Sequence, residues 1–275
     1  MAVLTALRQT PGAVWRNPGI ALPLIALVLL QAPSFAAELL DPLLAVVLSL
    51  GLTAVFVFLI PFFQGGIIGM ADEALDGSTS LGTFLSAGKS NYLSIFGAYL
   101  LLLAANVVFG IAVFFAFFLG VGAAYVGGDG GGGGASVAVA AIGLLALVGY
   151  LLFNFFVQFY SQAIVVDAHG AIGGLKQSFG VVRRNLLATL GYSLLAGAIA
   201  IGFGLFVAVL SVFASPTSMA TLTTETPPLA WFAGVGLVGG LLTVVLGTFL
   251  AVFAVAFYRE IAAESAPQQR PAPEL

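Results

Sequence analysis

Six long apolar runs, none containing a Lys or Arg, alternate with short segments that hold the charge. No other feature limits the fold of this chain so tightly. Eight Lys and Arg and eleven Asp and Glu make up 7 % of 275 residues, against about 25 % in an ordinary soluble domain. A soluble fold would have nothing to cover its surface with, and the mean hydropathy is +1.15. A run of roughly 20 apolar residues crosses about 30 Å of hydrocarbon, and there a backbone must satisfy its own polar groups, as a helix does. The runs are Pro18–Ala37, Pro42–Ala71, Tyr92–Val126, Ser136–Val166, Leu186–Ala214 and Pro228–Tyr258. The expected fold class is all-α: a polytopic membrane protein with six transmembrane helices, short cytoplasmic amphipathic helices and three helical-hairpin repeats.

All eight cations (Arg8, Arg16, Lys89, Lys176, Arg183, Arg184, Arg259 and Arg270) fall in alternate connections and the two ends. The other loops carry only Glu38, Asp41, Asp129 and Glu225. The positive-inside rule then predicts a plasma-membrane protein with both termini cytoplasmic. A signal-peptide reading of Ile20–Leu30 competes, but the place of the first run in a repeat argues against cleavage. So few cations leave no patch for nucleic acid. There are no cysteines and one histidine, His169, so no metal site and no cofactor are expected. The Ala, Gly and Val bias fits a salt-loving, haloarchaeal or high-GC source. Gly127–Gly134 reads as a flexible tether, Ser215–Pro228 as a solvated loop and 265–275 as a disordered cytoplasmic tail.

The repeat is visible before the odd-numbered runs. LRQTPGAVWRN (Leu7–Asn17) and LKQSFGVVRRN (Leu175–Asn185) share six of eleven positions. Gln64–Gly110 laid on Gln158–Gly204 gives eleven identities in 47. Each unit holds a cytoplasmic amphipathic helix, an Asn, a span outward and a span back that ends near an acid (Glu73, Asp167, Glu260). The units are about 1–73, 74–167 and 168–264 of one membrane domain, 1–264. Asn17, Asn91 and Asn185 are read as helix caps, with Pro18 at a first helical position. Leu175, Phe179 and Val182 recur at helical spacing, flanked by Lys176, Arg183 and Arg184, and predict an interfacial helix lying on the inner leaflet. Arg16, Lys89, Lys176, Arg183 and Arg184 are the expected interfacial basic anchors.

The stretch AIVVDAHGAIGGLKQSFGVVRRNLLATLGYSLL (Ala163–Leu195) resembles the inner loop of a group of six-helix membrane proteins. That group includes the membrane domain of glycerophosphodiester phosphodiesterases and related uncharacterised bacterial and archaeal proteins, some described as domains of unknown function. The matching positions are Asp167, Gly170, Leu175, Lys176, Ser178 and Arg184. Ser161 and Gln162 stand where many members have Pro. The resemblance implies location and architecture, and no catalytic domain accompanies it here.

Chemistry inside a bilayer needs polar groups, which are costly there. Tyr150, Asn154, Gln158 and Gln162 recur every four residues as a slowly winding stripe, joined by Gln64, beside a kink expected at Pro61, and by Asn106. The stripe is either a hydrated path or amides hydrogen-bonded between helices. Asp72, Glu73 and Asp76 are read as a solvated helix end, with a cation site as the alternative. Ser178, His169 and Asp167 lack a nucleophile motif, so no catalytic residue is assigned. The chain is expected to be non-enzymatic, lipid-interacting or envelope-organising, with membrane lipids as partners. Small-residue pairs such as Gly236/Gly240 allow a homo-oligomer, and an ATPase or lipid-enzyme partner is the other expectation. The alternative is a small-solute or lipid transporter with a polar path along the fourth span.

Overall fold

A computed structural model describes residues 1–40, 42–126, 133–214 and 229–265. The expectations for Asp41, Asp129, Glu225, most of the glycine tether, Ser215–Pro228 and the tail after Ser265 lie outside the described residues. Among the described residues the chain is helical, with no strand. In order these are α1 (Ala2–Arg16), a short 3-10 turn (Pro18–Ile20), α2 (Ala21–Leu40), α3 (Pro42–Asp76), α4 (Leu81–Val126), α5 (Gly133–Val157), α6 (Tyr160–Val165), α7 (Ala171–Arg184), α8 (Leu186–Ala214) and α9 (Leu229–Ser265). Five helices are long and apolar enough to cross a membrane; a sixth is reached if α1 and Pro18–Gln31, bent by 91°, count as one broken span. Large apolar side chains point outward along them, such as Leu50 and Leu237 at 67 % and 74 % exposed.

The fifth run forms a helix with the expected bounds, Leu186–Ala214, and the other five depart from them. No helix break separates an amphipathic piece from the third span, because α4 runs through Asn91. No proline follows that Asn, whereas Pro18 follows Asn17 at the 91° bend. The fourth span is broken between α5 and α6. The second runs through Pro61 to Asp76 as one helix.

Two compact units divide the chain. The first holds Met1–Tyr92 with Arg184–Leu275. Its centre is the C-terminal half of α9, where Val252, Phe253, Val255, Ala256, Phe257, Tyr258 and Ile261 are all buried. α1 packs across α9, and α2, α3 and α8 pack on its other sides. Tyr192 of α8 stacks on Phe257, with ring centroids 4.5 Å apart. The start of α4 lies against α3, where Phe84 meets Phe62 and Phe63 edge-on at 5.4 and 5.3 Å. Glycines on α3 permit this approach: a Cβ on Gly69 would lie 2.4 Å from that of Ala87.

The second unit, Leu93–Arg183, packs the rest of α4 with α5, α6 and α7. Ile95, Ala98 and Ile164 form its core, with Tyr160, Val165 and Ala171 against them. Gly174 of α7 faces Ile164, and a Cβ there would lie 2.5 Å from Cγ1 of that side chain.

Overpacking a close helix contact costs about 1–3 kcal/mol. Gly69→Val is therefore expected to lower the thermal midpoint in detergent. Gly51→Val, on the same helix with nothing within 4 Å of its Cβ position, is the control expected to leave it unchanged.

Candidate functional site

The polar chemistry of the first unit gathers where α3 and α9 end and α1 crosses them. Arg259 on α9 reaches both acids of one α3 turn. Its two terminal nitrogens donate to the two carboxylate oxygens of Asp76 at 3.0 Å each, and Nη1 also donates to the Asp72 carbonyl at 3.2 Å. The Asp72 carboxylate lies 3.6 Å from the same nitrogen. Such paired, planar contacts are the geometry at which a guanidinium binds carboxylate best. Beside it, a cavity of about 380 Å³ is lined by Gln9, Asp76, Arg259, Glu260 and small apolar side chains. Asp72 and Asp76 thus tie α3 to α9, while Glu73 and Asp76 stay exposed, as expected of a solvated helix end.

Acids near the ends of α3, α6 and α9 accept hydrogen bonds from residues of other segments. In the first unit Thr83 Oγ1 donates to Glu73, as does Thr79 Oγ1 at 2.7 Å, and Gln9 Nε2 donates to Glu260 at 3.3 Å. In the second, Gln177 Nε2 donates to Asp167 at 3.3 Å. Gln9 and Gln177 hold the same place in the two matched eleven-residue stretches, and Thr83 falls on Gln177 in the longer match.

Asn17 and Asn91 do different work from the capping expected of them, and Asn185 stands at a helix start as expected. Asn17 stands at the helix start but makes no side-chain capping bond there. Its amide donates to the Ala13 and Gly77 carbonyls at 3.0 Å and accepts from the Thr79 N–H at 2.9 Å. It clamps the end of α1 to the turn after α3. Asn185 also stands at a helix start, and its backbone carbonyl accepts from Thr189. Its amide donates to the Ile261 carbonyl and to Ser265 Oγ at the end of α9. Arg184 donates to the Ser265 carbonyl at 2.9 Å, so the end of α9 is met by an amide and a cation. Asn91 lies inside α4, not at a helix start, and donates to Ala87 one turn back and to Ser90.

Of the expected anchors, Arg184 is therefore tied to α9, although it is exposed. Arg16, Lys89, Lys176 and Arg183 are exposed, as is Arg8. The inward face of α7 is Gly174, Ser178, Val181 and Val182. Of the apolar set Leu175, Phe179 and Val182, Val182 is on this face, Leu175 is half-buried and Phe179 is exposed. The Phe179 ring meets Phe156 at 4.7 Å.

The polar stripe is divided by the break in the fourth span. Ser178 causes no catalysis-like arrangement: its hydroxyl donates to the Phe156 carbonyl at 2.9 Å and accepts from the Phe159 N–H at 3.1 Å. It satisfies the two backbone groups that the break between α5 and α6 exposes. Below the break Gln162 is buried and accepts from Ser161 at 3.1 Å. Above it Asn154 donates to the Tyr150 carbonyl and Gln158 to that of Phe155. Asn106 donates to Leu102 on its own helix at 2.7 Å. Asn106 and Asn154 thus bond back to their own helices, where the packing reading expects bonds between helices. Tyr150 sits edge-on to Phe109 at 5.9 Å. Gln64 is half-buried on α3, in the first unit.

Sequence reasoning missed the Arg259 pair, the acid-bonded Gln9 and Thr83, and the Ser178 plug. The signals were Asp72 and Asp76 one turn apart, and a Thr10/Ser178 hydroxyl at the same place in two matched stretches.

An unsatisfied buried polar group costs about 1–3 kcal/mol. Asn17→Ala should cost stability of that order, read as a lower thermal midpoint in detergent, and Asn91→Ala, losing a local bond inside a helix, should cost less than about 1 kcal/mol.

The model of the family described as “Domain of unknown function (DUF7847)” matches residues 1–261, and the chain belongs to that family. No curated protein and no solved structure matches it.

Proposed function

We propose that this member of a family of unknown function is a non-enzymatic plasma-membrane protein of six spans in three hairpin repeats. Both termini are cytoplasmic, and its inner-face helices interact with membrane lipid and organise the envelope around it. The observation that carries this reading is the sorting of charge at the ends of the apolar helices. The acids Asp76, Glu73, Asp167 and Glu260 accept hydrogen bonds from protein groups. The cations Arg8, Arg16, Lys89, Lys176 and Arg183 are exposed. Cations turned outward beside apolar spans suit the phosphates of the inner leaflet.

The repeat reading is supported by the bonds to Glu73, Asp167 and Glu260 at matched positions, and by Asn17 and Asn185, each bonded to the end of the second span of its own unit. The donor to the last acid, Gln9, belongs to the first unit of the repeat, so the series closes on itself. A non-enzymatic role is supported by Ser178, whose hydroxyl is held between two backbone groups and is not free as a nucleophile. The resemblance of Ala163–Leu195 to membrane domains joined to phosphodiesterases supports a place beside lipid.

The chain has two tryptophans. Trp231→Phe leaves Trp15, which is 89 % exposed on α1. In vesicles, phospholipids brominated near the headgroup should quench Trp15 more than those brominated near the bilayer centre. Absence of quenching by either would contradict the lipid-facing reading.

Transport is the second reading, favoured by the break at Gln158–Phe159, since interrupted spans line binding sites in many transporters. Single cysteines at Asn154, Gln158 and Gln162 should then react with a charged thiol reagent while one at Phe156 does not. Protection of all three contradicts transport.

A further inference from the structure

The exposed face of α1 has a composition of its own. Ala2, Ala6, Thr10 and Ala13 are buried, so small residues turn toward the protein. Leu4 and Trp15 are 59 % and 89 % exposed, and Pro11 is exposed between them. At about 100° per residue these three fall within about 40° of one another, away from the buried side. Arg8 lies next to that stripe and Arg16 follows Trp15; both are exposed. Ala2–Arg16 contains no acidic residue. Glu260 is held by Gln9, which lies far around the helix from the Leu4, Pro11 and Trp15 stripe and on the same side as Arg16. The helix is bent by 91° from Pro18–Gln31, which continues into the first apolar run, so it lies across the span direction.

An occupant of this face must bring apolar surface and negative charge together, at the level where a span leaves the membrane. An inorganic anion has no apolar part. A zwitterionic headgroup brings an ammonium that Arg8 and Arg16 repel. We propose that α1 gathers anionic phospholipid of the cytoplasmic leaflet, its acyl chains against Leu4, Pro11 and Trp15 and its headgroup against Arg8 and Arg16. The proposal rests on the lipid-facing reading above and adds the lipid class and the residues that select it.

The test uses the full chain with Trp231→Phe in vesicles of phosphatidylcholine with 20 mol % phosphatidylglycerol, a composition set by the experimenter. In one preparation the phosphatidylglycerol is brominated; in the other an equal amount of the phosphatidylcholine is. The brominated anionic lipid should quench Trp15 about twofold more, since each cation near a membrane surface adds attraction for anionic headgroups. The ratio should fall toward one in Arg8→Gln/Arg16→Gln, in Arg8→Gln alone by a smaller step, and in wild type at high salt. A ratio of one in the unsubstituted chain, or one that the substitutions leave unchanged, overturns the proposal while the lipid-facing reading stands. Quenching by aqueous iodide with none by either lipid overturns both and points to a protein partner on this face.

Discussion

A carboxylate near the end of each of α3, α6 and α9, hydrogen-bonded from another segment of the chain, is the contact on which the rest of this structure depends. Apolar spans alone leave their mutual arrangement open, because lipid is as good a neighbour for a leucine as another helix is. Polar contacts at the helix ends and close steric fits decide it. Glu260 receives Gln9, and the same helix α1 is clamped at its other end by Asn17 to the turn after α3. Arg259, one residue before Glu260, reaches Asp72 and Asp76. The C-terminal half of α9 is then enclosed by α1, α2, α3 and α8, and that enclosure buries Phe253, Phe257 and Tyr258.

Charge at this level is divided between two tasks. Carboxylates are turned to protein donors and fix helices. Most cations are turned outward, and the two that join the structure, Arg184 and Arg259, meet a helix-end carbonyl and a pair of carboxylates. A chain with so few charged residues can give each a definite task. The amides of the fourth span contrast with this. Asn154 bonds to its own helix, and the span is broken where Ser178 enters.

Much of this was legible in the sequence because the bilayer makes it so. The bounds Leu186–Ala214 follow from a run bracketed by Arg183–Arg184–Asn185 on one side and by Ser215 and Pro216 on the other. The matched stretches before Pro18 and Leu186 pointed to helices that pack on the spans. What stayed hidden depends on which side of a helix another backbone approaches. Periodicity grouped Leu175, Phe179 and Val182 on one apolar side of α7, but the buried face centres on Gly174, where even the Cβ of an alanine would not fit, so Val182 is buried and Phe179 is exposed. The Asn17 clamp joins residues some sixty positions apart, and no local pattern encodes that. The break at Phe159 needs a hydroxyl from α7, again beyond any local signal.

The account's central claim is that α1, at one end of the chain, docks on the last span and completes the series of acid-bonded helices. The absence of cysteine gives a clean background for testing it. Gln9→Cys/Glu260→Cys, in native membranes, is treated with a short bifunctional thiol reagent, and the products are sized under denaturing conditions. The account predicts a link within one molecule, at a yield matching that of Gln177→Cys/Asp167→Cys. A link formed only between molecules, or none while the Gln177 and Asp167 pair reacts, would contradict it.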